Sequence, residues 1–183
     1  DAFDATLNNM NVNMLYSHDL LPQFCWLVLI YIVGRTLFKS NKVALFSVAI
    51  LIGHFILDFF LGHMHHVFGE DSMQTGLGLY ASDPYLAIVI EAVFTTVALW
   101  YFFKVDAAKG YKRTLANKAS IIGVFAYGII FMLLIATHSF RDILKIPQFD
   151  LGFNTNVPTL IFTYLSMALL LHYFVSQSKE MPS

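Results

Sequence analysis

Five long apolar runs decide what this chain can become. They lie at roughly residues 21–38, 42–67, 84–103, 119–138 and 157–175. Each is close to the ~20 residues that a helix, rising about 1.5 Å per residue, needs to cross a hydrocarbon layer. The runs are continuous and lack the in–out alternation of a barrel strand. The expected class is therefore all-α: a polytopic integral membrane helical bundle with about five transmembrane helices. It forms a single membrane domain over residues 1–183, with a polar arm at 1–20. The charge content agrees, because 13% of the residues are charged, whereas a soluble domain carries about 25%. The formal net charge of −1 offers no basic surface to nucleic acid. One cysteine, Cys25, excludes an internal disulfide and a four-cysteine metal site; in its apolar run it reads as a small buried hydrophobe.

The charged residues between the runs set an orientation. Arg35, Lys39 and Lys42 lie between the first two; Lys104, Lys109, Lys112, Arg113 and Lys118 lie between the third and fourth; Lys179 follows the fifth. The connection between the second and third holds Glu70, Asp71 and Asp83 and no base. The connection between the fourth and fifth mixes Arg141 and Lys145 with Asp142 and Asp150. The positive-inside rule then places the N-terminal arm outside and the C-terminus in the cytoplasm, with a bacterial inner membrane as the expected location. Pro22 suits the first turn of a helix, and Ser17 or Asp19 is placed to cap it. Gly69, Gly76 and Gly78 mark residues 69–83 as an ordered connection. Phe149 and Phe153 suit a segment lying along the outer interface.

Polar residues inside the runs are the informative exceptions. Of seven histidines, His54, His63, His65 and His66 fall in or at the end of the second run, and Asp58 lies inside it. An ionisable group is costly at membrane depth, so it reads as functional by default. His54 and Asp58 are four apart and share a helix face. If the helix continues to Val67, His65 falls near the same stripe, His66 close by, and His63 off it. Asp58 would lie roughly 12 Å below the outer end of that helix, and Glu91 about 10 Å below the start of the next, so the two carboxylates reach one depth. His18 stands at the mouth of the first run and His138 at the mouth of the fourth. All the histidines except His172 are thus expected to face one outward-opening cavity.

Such a cavity has three physical uses. Imidazole and carboxylate donors hold a divalent metal, zinc foremost, and calcium or magnesium less well. They also relay protons or ions along a helix. Or they close into a hydrogen-bonded network that fixes helix packing. The bland readings stand beside these. His54 with Asp58 can be a structural ion pair, Glu91 an acceptor between helices, and His18 and His138 interface histidines. Glu70 and Asp71 read as a solvated acidic turn, and Trp26 and Trp100 as packing or interface anchors.

The order YSHDLLP, then GHFILD, then GLGLY followed by a helix with a glutamate resembles a group of bacterial polytopic membrane proteins related to the membrane-bound metal-dependent hydrolase-like family. On that resemblance Ser17 and His18 match the family's serine–histidine pair. His54 and Asp58 match its histidine four residues before an aspartate. Gly76, Leu77, Gly78 and Leu79 match the glycine-containing turn, and Glu91 matches the acidic position that follows. The resemblance covers roughly residues 8–95. Two departures stand out: Asp19 occupies a position where a small hydroxyl residue is more usual, and GHMHHVFGEDS is richer in histidine than in the relatives, which makes His63 an alternative to His65. The relatives begin with one or more helices upstream of residue 1, so the chain is expected to lack residues that precede it there.

Three functions follow as expectations. The first is an accessory or structural subunit of a larger membrane complex, with its polar site near the outer leaflet and the lipid bilayer as its other partner. The second is a membrane-embedded hydrolase acting on a lipid-like ester, using zinc or another divalent metal held by His54, Asp58, His18 and His63 or His65. In that reading Asp58 and Glu91 are the catalytic carboxylates. The third is ion or proton transport.

Overall fold

The computed structural model describes residues 3–8, 18–62, 64–69, 71–147, 155–177 and 179–180. Among them, five helices are long and apolar enough to cross a membrane: α1 (Leu20–Leu37), α2 (Asn41–Leu61), α4 (Pro84–Ala108), α5 (Leu115–Leu134) and α7 (Asn156–Ser176). The short elements are β1 (His65–His66), β2 (Gln74–Thr75), α3 (Leu79–Ser82), β3 (Tyr111–Lys112), α6 (Phe140–Leu144) and β4 (Lys179–Glu180). The class is all-helical, with two antiparallel two-residue ladders, β1–β2 and β3–β4. The long helices are apolar on every side, and most of their large side chains are exposed. A helix in water hides its apolar residues on one face; these do not.

The chain divides into two compact units, residues 11–83 and residues 1–10 with 84–183. In the first, α1 and α2 form a helical hairpin. Gly34 and Ala44 are both buried at its crossing, and a Cβ on Gly34 would stand 2.8 Å from the Ala44 Cα. The missing side chain is what lets the two backbones meet. Ser40 caps α2 by accepting from the Val43 N–H at 3.4 Å.

The second helix ends earlier than its apolar pattern suggests. It stops at Leu61 instead of running to Val67, because Gly62 turns extended while its N–H still bonds the Asp58 carbonyl at 2.8 Å. Asp58 therefore lies in the last turn, about 5 Å from the helix end and not 12 Å. The following residues turn back as the β1–β2 hairpin, in which His65 opposes Thr75 and His66 opposes Gln74. Gly78, at φ 62, opens α3 from the left-handed region, where glycine carries no steric penalty.

In the second unit, α4 packs on α5 and α5 on α7. Residues 3–8 lie along it: Leu7 N–H bonds the Ile135 carbonyl, Arg141 N–H bonds the Phe3 carbonyl, and the Arg141 guanidinium pairs with Asp4. At the other end of α5 the Arg113 guanidinium, almost fully buried, pairs with Asp106 and bonds the Val175 carbonyl at 3.1 Å. Asn117 Nδ2 donates to the Phe174 carbonyl at 2.8 Å. These bonds add side-chain donors to the last carbonyls of α7, where Phe174 also accepts from the Gln177 N–H at 3.2 Å. Phe149 and Phe153 lie outside the described residues.

Candidate metal centre

His54 and Asp58 project from the last two turns of α2 on one face, as their four-residue spacing requires. His18 comes to them from the residue pair before α1. The Asp58 Oδ2 lies 3.3 Å from His18 Nε2 and 3.3 Å from His54 Nε2. One donor atom from each of the three residues falls within 4.8 Å of the other two. Oδ2 is shielded from solvent, yet neither imidazole N–H is aligned on it as a hydrogen bond. Two imidazole nitrogens thus converge on one carboxylate oxygen without hydrogen-bonding it.

Asp19 decides where His18 stands. It occupies the cap position of α1, but its side chain makes no capping bond there. Instead its buried carboxylate crosses to the β1–β2 hairpin, accepting from His66 N–H at 3.1 Å and Gly69 N–H at 3.0 Å. The backbone adds a bond from Leu21 N–H to the Val67 carbonyl at 3.2 Å. The start of α1 is therefore tied to the hairpin that follows α2. Within the hairpin, Ser72 Oγ accepts from Phe68 N–H at 2.8 Å and donates to the Gly69 carbonyl at 2.8 Å.

The other histidines divide. His65 is buried and its ring stacks on His18, with centroids 5.5 Å apart and planes 25° apart. It adjoins the donor group from the hairpin and not from a helical stripe, and it supplies no atom to the converging set. His66 Nδ1 lies 3.1 Å from the Ser72 carbonyl, which only accepts, so Nδ1 carries the proton. His138 belongs to the other unit, where its Nδ1 lies 3.0 Å from Thr137 Oγ1. Glu91, also in that unit, is half-buried two turns into α4. His172 is exposed on α7. Ser17 and His63 lie outside the described residues.

No protein-family model, curated protein or solved structure matched this chain. The chemistry of the site accordingly rests on its own geometry. A tetrahedron with metal–donor bonds of ~2.0–2.1 Å has edges of about 3.3–3.4 Å between donors. Both contacts to Asp58 Oδ2, at 3.3 Å, match that edge. Two imidazole nitrogens and one carboxylate oxygen are a zinc-class donor set. The role of Asp19 was hidden in the sequence, where an acid before an apolar run reads as a cap. The one available signal was an acid directly beside His18.

Proposed function

We propose that this chain is an integral membrane protein that holds a divalent transition metal, zinc foremost, through His18, His54 and Asp58. The observation that carries the reading is the approach of two Nε2 atoms to one carboxylate oxygen at tetrahedral-edge distance, with neither aligned to hydrogen-bond it. A structural ion pair would align one imidazole N–H on Asp58 and would not need the second. Membrane insertion is supported by five helices that are apolar all round and expose that surface.

The three donors that converge among the described residues favour hydrolytic chemistry over a purely structural role. Structural zinc sites are closed by four protein ligands, whereas catalytic ones use three and leave a position for water. Bound here, such an ion supplies Lewis acidity and a water that ionises near neutral pH. The His54 side chain is 56% exposed, so an incoming molecule has access from its side. The apolar surface around them favours a lipid-like ester as substrate. Asp58 adds the anionic donor, and Asp19 fixes the backbone from which His18 reaches the other two.

The test is metal analysis of the detergent-purified chain, wild type beside His54→Ala. The wild type is expected to retain about one equivalent of zinc per chain, and the variant less than about a tenth of that, with equal helical content by circular dichroism. Equal metal in the two proteins would remove the centre. Wild-type protein that is metal-free and co-purifies with a larger assembly would favour an accessory subunit instead.

A further inference from the structure

A cavity of about 440 Å³ lies between α5 and α7, lined by Ser120, Gly123 and Tyr127 on one side and Phe162, Met167 and Phe174 on the other. Its lining is mostly apolar. Ser120 Oγ is committed to the Ala116 carbonyl at 3.0 Å and Thr163 Oγ1 to the Thr159 carbonyl at 2.8 Å, so two of its hydroxyls are spent on their own helices. Gly123 is exposed, and a Cβ there would meet nothing within 4 Å, which leaves the floor open.

The groove has a charged end and an apolar end. At Phe174 it reaches the level where Arg113 and Asn117 bond the last carbonyls of α7. Lys109, Lys112 and Lys118 are exposed on the same end of this unit, around the α4–β3 turn and the start of α5. Asp106 is occupied by Arg113, so the three ammonium groups have no carboxylate partner among the described side chains. Lys118 lies over the Phe103 ring at 5.9 Å. From Phe174 to Phe162 the groove extends along α7 for about 18 Å at 1.5 Å per residue. That is close to half of a ~30 Å hydrocarbon core, the depth of one leaflet.

We propose that this groove binds one anionic phospholipid, with an acyl chain between α5 and α7 and its phosphate beside Lys109 and Lys112. Basic residues at one end of an interhelical groove are the arrangement that selects an anionic headgroup. The proposal rests on the chain spanning a bilayer, and it is independent of the metal centre.

Native mass spectrometry of the full chain in mild detergent tests it, with phosphatidylglycerol and phosphatidylcholine of identical acyl chains as probes. One phosphatidylglycerol is expected to stay bound, at least about fivefold tighter than phosphatidylcholine. Lys109→Gln with Lys112→Gln is expected to weaken it about fivefold per lysine and abolish the preference. Gly123→Leu, whose Cβ meets nothing within 4 Å and whose side chain takes up groove space, is expected to displace both lipids at unchanged helical content. Equal retention of the two lipids by the wild type, or undiminished retention by Gly123→Leu, would overturn the proposal. So would a dimer that forms without lipid and is lost in Gly123→Leu, since it assigns the groove to a second copy. Resistance to alkaline carbonate extraction checks membrane insertion separately, and zinc content reports on the other centre.

Discussion

The Asp19 carboxylate accepts the backbone N–H of His66, 47 residues further along the chain, at 3.1 Å. With its second bond to Gly69 N–H, it joins the start of α1 to the hairpin after α2 and so sets the backbone beside His18. Charge-assisted bonds to a buried carboxylate are worth more than neutral ones, and removing it strands two donors. Asp19→Ala is expected to cost about 3 kcal/mol in thermal unfolding in detergent. It is also expected to weaken zinc binding by about 10–100-fold, as loss of a supporting group does. Asp19→Asn keeps one acceptor oxygen and is expected to recover roughly half of each effect. Unchanged zinc affinity in Asp19→Ala would separate the clasp from the site.

The α1–α2 hairpin depends on one absent side chain. A methyl on Gly34 would press the Ala44 backbone at 2.8 Å, and backbone cannot yield as a flexible side chain can. Gly34→Ala is expected to destabilise the hairpin by about 1–3 kcal/mol, since overpacking outweighs the gain in helix propensity. Gly53→Ala is the control. Nothing stands within 4 Å of its Cβ, so that change is expected to be neutral or stabilising by up to about 1 kcal/mol. The pair is compared by unfolding midpoint in detergent, and a reversed order would refute the close approach.

The short helix α6 carries a pH-dependent cap outside the five long apolar helices. Ser139 Oγ donates to Asp142 Oδ2 at 2.7 Å and accepts from Asp142 N–H at 3.1 Å, while Ser139 N–H bonds the same carboxylate at 3.1 Å. The side-chain bond from Ser139, then its backbone bond, hold the Asp142 pKa below its ordinary 3.8. A lowered folded pKa means that the carboxylate stabilises the cap fully above the ordinary value and loses that contribution as pH falls through the lowered one. The Ser139 amide shift in a detergent NMR titration is expected to move with a midpoint below 3.8, the reference value for the carboxyl. In Ser139→Ala the Asp142 midpoint is expected to rise toward that value, and an unmoved midpoint would discount the cap.

Several features were legible in the residues alone. Length and apolarity of the five runs determine five helices of spanning size, because a continuous apolar run has no other way to satisfy its backbone bonds away from water. The four-residue step from His54 to Asp58 determines that those two share a face, since α-helix geometry is local. Tertiary structure decided the rest. Gly62 ends α2 before His65, which removes the helical stripe that the apolar pattern predicted, because backbone bonding at a helix end outranks hydrophobic periodicity. His18 meets Asp58, and His65 stacks on His18, where the Asp19 clasp and the Leu21–Val67 backbone bond tie the start of α1 to the hairpin. That pairing depends on which distant backbone donors face a buried carboxylate, and no local rule of sequence fixes a contact between segments so far apart in the chain.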